Sequence, residues 1–535
     1  MLFRSDFSQV YAGLKTADVV RFDNFPLSTT RVATLDLKRF EVLTAGGKIV
    51  DGSTGRELAR PDVVLLRGTA NGDPSSSVFL SLSRHGHQGW VSIGGEQYIL
   101  SSGPANGAKV PVIYRLGDIP DGAMPIESLN CGGALAQVPG QLPGIPKNLA
   151  PAGPTPQGTC RVVEISVETD FEYTNVITGF GGDPTASAAY ITTLFGGINE
   201  IYTREFSTQI VVPFMRVFST DTDPYPPMTN VPNRLDEFQA EWNANQTGVD
   251  RNLSHMLTAA RVGGVGGIAY LSVVCNSEYG YGVSGYINGF FPYPLEDNHR
   301  QNWDIVVTSH EIGHNFNAPH THNTEPPIDL CAYGDCSNAQ NGTIMSYCHT
   351  CPTGPGSLGG MLNISLDMHP RIINEFVLPF LDYLATEQIC SLGGDGPMIT
   401  QNPADTTAPV GGSAAFGVGV SGAPPLRFQW YHDGAIMLGA THQTLIIDPV
   451  TLTSAGGYDV VVMNDCGEAQ SGVGILTVSG RCYDDFNADG VVDFFDYLDF
   501  VAAFSVESPT ADVNADGIVD FFDYLDFVAQ FSEGC

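Results

Sequence analysis

One stretch in the middle of the chain constrains its function more than any other, because three histidines stand at fixed offsets around a glutamate. His310 and His314 are one helical turn apart, so both imidazoles project from the same face of a helix. Glu311 lies beside the first histidine and can act as a general base. His320 reaches the same site only if the chain turns back, and we expect that turn at Asn317, since asparagine tolerates the left-handed conformation that ends helices. Three imidazoles with one open position are typical of a catalytic zinc site.

A methionine turn follows this motif. Met345 lies in the short apolar segment 342–347. A long zinc motif followed by such a turn resembles the metzincin metalloproteases, and the order of strands and helices resembles their adamalysin or reprolysin branch. The resemblance implies an α/β (α+β) catalytic domain with a mixed sheet over the zinc helix. In such a domain the three histidines bind Zn²⁺, the glutamate deprotonates a zinc-activated water, and Met345 forms the floor of the site.

Two positions depart from the adamalysin pattern. Asn317 stands where the family usually has glycine, and Thr321 follows the third histidine where adamalysins usually have aspartate. Tyr347 matches a position at which astacin- and serralysin-like enzymes carry a tyrosine near the zinc. That similarity implies oxyanion stabilisation by Tyr347; the alternative is that its ring only packs behind the turn. His322 and His349 are interpreted as exposed loop residues rather than ligands.

Length, charge and cysteine content predict an extracellular protein with several domains. A chain of 535 residues is too long for one core. Its 24 basic and 58 acidic residues give a net charge of −34, which argues against nucleic acid and anionic membranes as partners. Its 11 cysteines indicate an oxidising compartment, so we expect a secreted or cell-surface protein. We recognise no signal-peptide core at the start and no apolar run that predicts a transmembrane span.

Pattern and composition divide the chain into successive segments. Short strands predict a β-rich region at residues 1–120, whose position resembles that of an adamalysin pro-domain. Residues 121–158 are rich in Pro, Gly and Ala and are interpreted as a linker. Residues 159–393 have a strand–helix–strand order that resembles a metzincin catalytic domain. Residues 394–479 resemble an immunoglobulin-like β-sandwich. Residues 480–535 predict a small α-helical module with paired calcium loops.

Two acidic loops in the last segment repeat each other. Oxygen-bearing side chains occupy loop positions 1, 3, 5, 9 and 12, with glycine at position 6, which is the spacing of calcium-binding loops. Aspartate at position 12 and the pairing of the loops resemble dockerin modules, which implies two bound Ca²⁺ ions and a cohesin-like or cell-surface partner. A disordered acidic tail is the alternative. The predicted calcium ligands are Asp485, Asn487, Asp489, Val491 (carbonyl), Asp493 and Asp496, then Asp512, Asn514, Asp516, Ile518 (carbonyl), Asp520 and Asp523.

The cysteines suggest particular disulfides. In the adamalysin branch a cysteine matching Cys275 pairs with one after the C-terminal helix, which implies a bond to Cys390. Cys482 and Cys535 bracket the calcium loops and are candidates to pair, which leaves Cys466 as a candidate unpaired thiol. Two local disulfides are expected among the cysteines around the methionine turn, which are Cys331, Cys336, Cys348 and Cys351.

Cys131 lies in the linker and leaves two hypotheses. In the first, its thiolate occupies the open zinc position and keeps a zymogen latent until the linker is cut. In the second, which the oxidising compartment favours, it forms a disulfide with Cys160.

Together these features predict a secreted zinc endopeptidase that hydrolyses peptide bonds in protein or peptide substrates. We expect substrate to bind as an added strand along the sheet edge near residues 269–274. The alternative is a calcium-dependent adhesion or anchoring protein with a vestigial protease domain. Glu311 distinguishes the two hypotheses, because a pseudoenzyme typically loses the catalytic base.

Overall fold

The structure, a computed structural model, describes two compact units. The first extends to Met398, and the second contains most of the residues that follow. Each unit is considered by itself below. The described residues are 14, 18–104, 111–118, 130–131, 159–175, 179–293, 303–390, 392–422, 426–437, 439–464, 466–479, 485–487, 489, 491–514 and 516–533.

The N-terminal region is built from strands, as the period-two pattern predicts. They are β1 (Val19–Pro26), β2 (Val32–Phe40), β3 (Leu43–Asp51), β4 (Arg56–Glu57), β5 (Val63–Ala70), β6 (Asp73–Ser83), β7 (Gly86–Ile93), β8 (Glu96–Ser101) and β9 (Val112–Arg115). Seven of them form an antiparallel sheet in the order β1-β2-β5-β6-β7-β8-β9. The remaining two, β3 and β4, leave this sheet.

The catalytic region alternates strands and helices around a mixed sheet. Its strands are β10 (Asn130–Cys131), β11 (Thr159–Thr169), β12 (Thr208–Val217), β13 (Leu253–Leu257), β14 (Val265–Ala269), β15 (Tyr281–Ser284) and β16 (Gly393–Asp395). Its helices are α1 (Phe171–Thr174), α2 (Pro184–Phe206), α3 (Val231–Asn245), α4 (Trp303–Asn315) and α5, in which a π-helical stretch (Ile373–Val377) separates Pro370–Ile372 from Leu378–Thr386. The nine-stranded sheet runs β10-β14-β15-β13-β11-β12-β3-β4, with β16 beside β11. The mixed sheet and the helix that carries the histidines are as predicted.

The N-terminal region has a sheet and a buried cluster of its own, but it also contributes strands and buried side chains to the catalytic region. Strand β3 pairs in parallel with β12, with Leu43 opposite Val212. Phe79 and Trp90 belong to the same buried cluster as Ile305 of α4. Gly197 allows the close approach of α2, since a Cβ there would lie 2.7 Å from Ile305 and 3.1 Å from Trp90. The region that sequence composition separates at residue 120 therefore completes the catalytic fold.

Three disulfides lie among the described residues of the catalytic region and hold its loops. The structure joins Cys275 to Cys390, Cys331 to Cys348 and Cys336 to Cys351. Cys466, interpreted above as an unpaired thiol, is disulfide-bonded, so that interpretation is wrong. The proposed pairings of Cys131 with Cys160 and of Cys482 with Cys535 involve side chains outside the described part of the chain.

The second unit begins with a β-sandwich. Its strands are β17 (Met398–Gln401), β18 (Thr406–Pro409), β19 (Ala414–Gly417), β20 (Gly419–Ser421), β21 (Arg427–His432), β22 (Ala435–Ile436), β23 (Thr444–Ile447), β24 (Gly456–Asn464), β25 (Gly467–Gln470) and β26 (Gly474–Ser479). Trp430 is fully buried, and the Tyr458 hydroxyl donates a hydrogen bond to the Ser454 carbonyl, as in a tyrosine corner. Val418 and Val460 are also buried in this core.

Two short helices end the described chain. They are α6 (Phe494–Ser505) and α7 (Phe521–Glu533), which pack through a small core where Phe500 stacks on Phe527 at 3.9 Å between ring centroids. Among the described helices of the whole chain, none combines the length and apolar character needed to cross a lipid bilayer.

Candidate metal centre

The zinc-motif helix ends in a left-handed turn that reverses the chain. Asn317 has a φ of 72°, in the left-handed region. Its N–H donates to the His314 carbonyl at 2.9 Å, and the N–H of Ala318 donates to the Gly313 carbonyl at 2.9 Å. This is the hydrogen-bond pattern of a Schellman motif, which satisfies the last carbonyls of a helix. The turn lies where the sequence predicts it and directs the following residues back towards α4.

The reversal brings three histidines together. The side chains of His310, His314 and His320 are buried, and their candidate ligand atoms lie within 4.8 Å of one another. The Nε2 atoms of His314 and His320 are 3.1 Å apart. Each Nδ1 faces an oxygen that can only accept a hydrogen bond, which fixes the proton on Nδ1 and leaves Nε2 with its lone pair. These Nδ1 contacts are His310 to Ile344 O at 2.7 Å, His314 to Ala318 O at 2.8 Å and His320 to Asn323 Oδ1 at 3.2 Å.

The donor set fits a zinc ion. The buried Nε2 of His310 has no hydrogen-bond partner among the described residues. Burial lowers the pKa of His314 to about 4 and that of His320 to about 2, and it lowers the pKa of His310 well below its usual value. All three rings are therefore neutral near pH 7, which is the state that binds a metal. Three convergent neutral imidazoles match the ligands of a catalytic zinc.

Glu311 lies against the sheet at a glycine. A Cβ added to Gly267 in strand β14 would overlap Oε1 of Glu311, so only glycine leaves room for the carboxylate there. Sequence reasoning missed Gly267. The available signal was a glycine inside a strand, which often marks the close approach of another group.

The methionine turn is tied to the third histidine through Thr321. Met345 is fully buried, and its carbonyl accepts a hydrogen bond from the Thr321 N–H at 3.1 Å and lies 3.3 Å from the Thr321 hydroxyl. Thr321 occupies the position where adamalysins usually have aspartate. The contact shows how threonine joins the ligand-bearing segment to the turn.

Further aromatic rings pack against the histidine cluster. The Tyr347 hydroxyl lies 3.3 Å from Nε2 of His320. The His322 ring stacks on His320, with centroids 5.0 Å apart and planes 12° apart, and lies 4.9 Å from the Tyr347 ring. His349 is buried beside Trp303. The interpretation of His322 and His349 as exposed loop residues is therefore wrong: the first is half-buried and the second is buried, because both pack on the rings of the site.

The sheet edge beside Glu311 is strand β14, slightly earlier in the chain than expected. The strand ends at Ala269, and the turn that follows contains Ser272 and Cys275 with φ of 62° and 67°. On its outer side β14 pairs in parallel with the two-residue strand β10, which sets Cys131 opposite Gly267. A backbone segment from the predicted linker thus pairs with the edge next to Glu311.

The predicted calcium ligands lie in two loops with the same local hydrogen bonds. Side-chain oxygens of Asp485 and Asn487 accept the Asp489 N–H in the first loop. The second loop repeats this with Asp512 and Asn514, whose side chains accept the Asp516 N–H. The position-12 carboxylates, Asp496 and Asp523, are buried and accept the amides of Asp493 and Asp520, respectively. Val491 and Ile518 are exposed.

Comparison with known proteins supports two of these regions. Residues 159–356 match the reprolysin-type model of metallo-peptidase family M12. This segment is a metallopeptidase domain. Residues 397–478 match the immunoglobulin I-set domain. No curated protein matches the chain.

Solved structures match over a small part of the chain. They include an I-band fragment of titin (23% identity, 16% of this chain and 33% of that one), Sidekick-1 immunoglobulin domains 1–5 (29%, 16% and 20%) and a chimeric titin fragment functionalized with a decorin peptide (26%, 16% and 98%). Each has a TM-score of 0.15. This chain spans about a third of the first and a fifth of the second. Likenesses at that TM-score carry no argument about function.

Proposed function

We propose that the protein is a secreted or cell-surface zinc endopeptidase of the adamalysin type that cleaves peptide bonds in proteins. His310, His314 and His320 would hold Zn²⁺, and Glu311 would be the general base. The observation that carries the proposal is the convergence of three buried, neutral imidazoles, each with Nδ1 facing an oxygen acceptor, beside a glutamate. A buried helix with merely satisfied histidines would not leave Nε2 of His310 without a hydrogen-bond partner among the described residues.

The proposed chemistry divides between the metal and the chain. Zinc held by the three histidines would supply Lewis acidity to the scissile carbonyl and to the attacking water. Glu311 takes the proton from that water and passes it to the leaving amine. Tyr347 donates its hydroxyl proton in a hydrogen bond to the oxyanion, a role supported by its position 3.3 Å from Nε2 of His320.

We also propose that substrate binds as an extended strand along the outer edge of β14. Glu311 lies against Gly267 of this strand, so a peptide paired there would pass the base. The backbone of residues 130–131 pairs with the same edge, so substrate would have to displace it. That arrangement supports a latent zymogen whose linker is moved or cut on activation.

The first test replaces the base. We expect Glu311→Gln to lower kcat for hydrolysis of a casein-derived peptide by about 10³-fold, because the proton acceptor is lost. Zinc content, measured by elemental analysis, should stay at the wild-type level, because glutamine is isosteric and Glu311 is not a ligand. Equal activity in the variant would overturn the mechanism. A wild-type protein that binds zinc but cleaves nothing would favour the adhesion alternative.

The second test examines the tyrosine. We expect Tyr347→Phe to lower kcat by about 10²-fold, since removal of one oxyanion donor typically costs that much or more. KM should change little, because the ring and its contacts with His320 and His322 remain. An unchanged kcat would remove Tyr347 from the mechanism and leave it as a packing residue, whereas the expected loss would mean that this adamalysin-like domain also uses the tyrosine of the astacin- and serralysin-like enzymes.

For the last segment we propose two calcium-binding loops and a cohesin-like or cell-surface partner. The support is the duplicated loop pattern together with a duplicated apolar surface. Phe494 and Phe495 follow the first loop and Phe521 and Phe522 the second, and each side chain is about two-thirds exposed (64–66%). Exposed apolar patches of this kind commonly mark interaction sites. The acidic charge around them favours a basic partner surface.

A further inference from the structure

The side chain of Asn317 makes two hydrogen bonds that a glycine at this position could not make. Its Oδ1 accepts a hydrogen bond from the Ser272 hydroxyl at 2.6 Å. Its Nδ2 donates to the Phe376 carbonyl at 3.1 Å. The first partner lies in the turn after strand β14, and the second lies in α5. One side chain therefore joins three separate parts of the catalytic region.

Both partners are themselves unusual in backbone conformation. Ser272 has a φ of 62°, and its N–H donates to the His314 carbonyl at 3.0 Å. Phe376 lies in the π-helical stretch of α5. A π-helical stretch changes the register of the helical hydrogen bonds, and such stretches are frequent at functional sites. In this chain the carbonyl oxygen of Phe376 accepts a hydrogen bond from the Asn317 side chain.

The turn after β14 and the segment that contains α5 are also linked by a covalent bond. Cys275, three residues after Ser272, forms a disulfide with Cys390, which follows α5. The disulfide fixes the far end of the turn after β14. The Asn317 side chain fixes the near end, directly beside the helix terminus that positions His320. The turn is thereby held on both sides.

We propose that Asn317 is a positioning residue whose side chain holds the His320-bearing turn against the β14 edge and α5. The inference rests on the proposed zinc function. The left-handed backbone alone needs only glycine or asparagine. The two side-chain hydrogen bonds also fix the position of this turn relative to the β14 edge, where substrate is proposed to bind. They therefore fix the position of His320, which follows the turn.

The test compares zinc affinity in glycine variants of the full chain. Asn317→Gly keeps the left-handed turn accessible and removes both bonds. Asn24→Gly is the matched control, because Asn24 also has a positive φ of 56° but is exposed in the N-terminal sheet. The zinc dissociation constant is measured by competition with a chromogenic chelator. We expect about a tenfold weaker affinity in Asn317→Gly, within the range seen when partners outside the ligand shell are removed. Asn24→Gly should match wild type.

Further variants keep the inference testable if Asn317→Gly does not fold. Ser272→Ala removes one of the two bonds from the other side, and we expect a smaller loss of zinc affinity. The double variant should lose no more than Asn317→Gly alone, because the Ser272 bond is then already absent. KM and kcat for peptide hydrolysis are measured in parallel, and we expect KM to rise because the β14 edge is also released.

The outcomes separate the inference from the proposed function. Wild-type affinity in both Asn317→Gly and Ser272→Ala would overturn the positioning role while leaving the zinc site intact. Equal losses in Asn317→Gly and Asn24→Gly would also overturn it, since they would reflect only the flexibility of glycine. A wild-type protein that binds no zinc would overturn the proposed function itself.

Discussion

The N-terminal region and the C-terminal pair of helices, each considered by itself, are stabilised by different physical means. The N-terminal region contributes strand β3 to the catalytic sheet and buries large side chains in the common core. Among the described residues, the C-terminal pair of helices has a core of four buried apolar residues, Phe500, Ala511, Val513 and Phe527. From residue 481 onwards the sequence has 13 acidic residues and one basic residue, so its net charge is 1 − 13 = −12. The first region is stabilised by burial, whereas in the second a small core is opposed by the mutual repulsion of its carboxylates.

Buried polar contacts reinforce the first region. The Ser77 hydroxyl donates to Glu200 at 2.9 Å, and the Arg67 guanidinium donates to Asn199 and Thr203 at 3.0 Å each. All three partners lie on α2, the long helix beneath the catalytic sheet. Such bonds require the two surfaces to meet in one geometry. They are what we expect of a permanent part of a fold and not of a detachable segment.

The largest predicted effect is the difference between two deletions, one of the N-terminal region and one of the C-terminal helices. Removing residues 1–120 should abolish folding of the catalytic domain, as measured by near-UV circular dichroism. The buried side chains lost from the shared core include five large ones. At about 2 kcal/mol each, these five alone are comparable to the roughly 5–15 kcal/mol net stability of a domain. Removing residues 480–535 should leave the catalytic domain folded. The five side chains are Phe40, Leu65, Phe79, Trp90 and Ile99.

Cutting the linker gives the matched control for that deletion. A specific protease site inserted within residues 132–158 would allow cleavage after folding. We expect the two pieces to co-elute in size-exclusion chromatography and to separate only in denaturant. Elution of a free N-terminal fragment in native buffer would show that this region is not a permanent part of the catalytic fold. It would then behave as a separable pro-domain, as its position in the sequence suggests.

A smaller effect is expected from calcium removal. With EGTA, the amides of α6 and α7 should lose protection in hydrogen exchange, because the uncompensated carboxylates of the two loops repel one another. Amides of β3 and β6 should keep their protection, since that region is stabilised by its buried apolar side chains. Unchanged protection of α6 and α7 in EGTA would show that their small aromatic core suffices without metal.

The sequence predicted the local parts of the catalytic site well. The helix 303–315, the strand 208–217 and the left-handed turn at Asn317 lie where period, propensity and turn chemistry place them. These features depend on neighbours within a few residues. The membership of β3 could not be predicted in this way, because its local pattern is that of any short strand and its pairing with β12 spans more than 160 residues of chain.

Contacts made over a long range also explain the residues that sequence reasoning missed. Gly267 is informative only once Glu311 is known to lie against it. His322 and His349 resemble polar loop residues in the sequence. Only the stacking of His322 on His320 and the edge-to-face contact of His349 with Trp303 explain why neither is fully exposed. Asn317 was recognised for its backbone, but its side-chain partners, Ser272 and Phe376, belong to distant segments.

The smallest predicted effect compares one polar pair from each region. The hydroxyls of Ser81 and Thr193 are 2.7 Å apart and buried between the N-terminal sheet and α2. Thr193 also donates to the Ala189 carbonyl, so Ser81→Ala should cost only about 1 kcal/mol. Thr193→Val should cost more, about 2 kcal/mol, because the Ser81 hydroxyl is then left buried without that partner.

The matched pair in the C-terminal helices is Tyr497 and Tyr524, whose hydroxyls are 3.2 Å apart and only partly buried. Tyr497→Phe and Tyr524→Phe should have equal and small effects, each within about 0.5 kcal/mol, because water replaces the lost partner. Chemical unfolding of the four single variants, followed by hydrogen exchange in each region, checks both pairs. If burial decides these costs, the two variants of the Ser81–Thr193 pair should differ in stability, whereas the two tyrosine variants should not. Equal costs for Ser81→Ala and Thr193→Val would mean that water reaches the N-terminal interface, and that this region is held less tightly than its sheet and core imply.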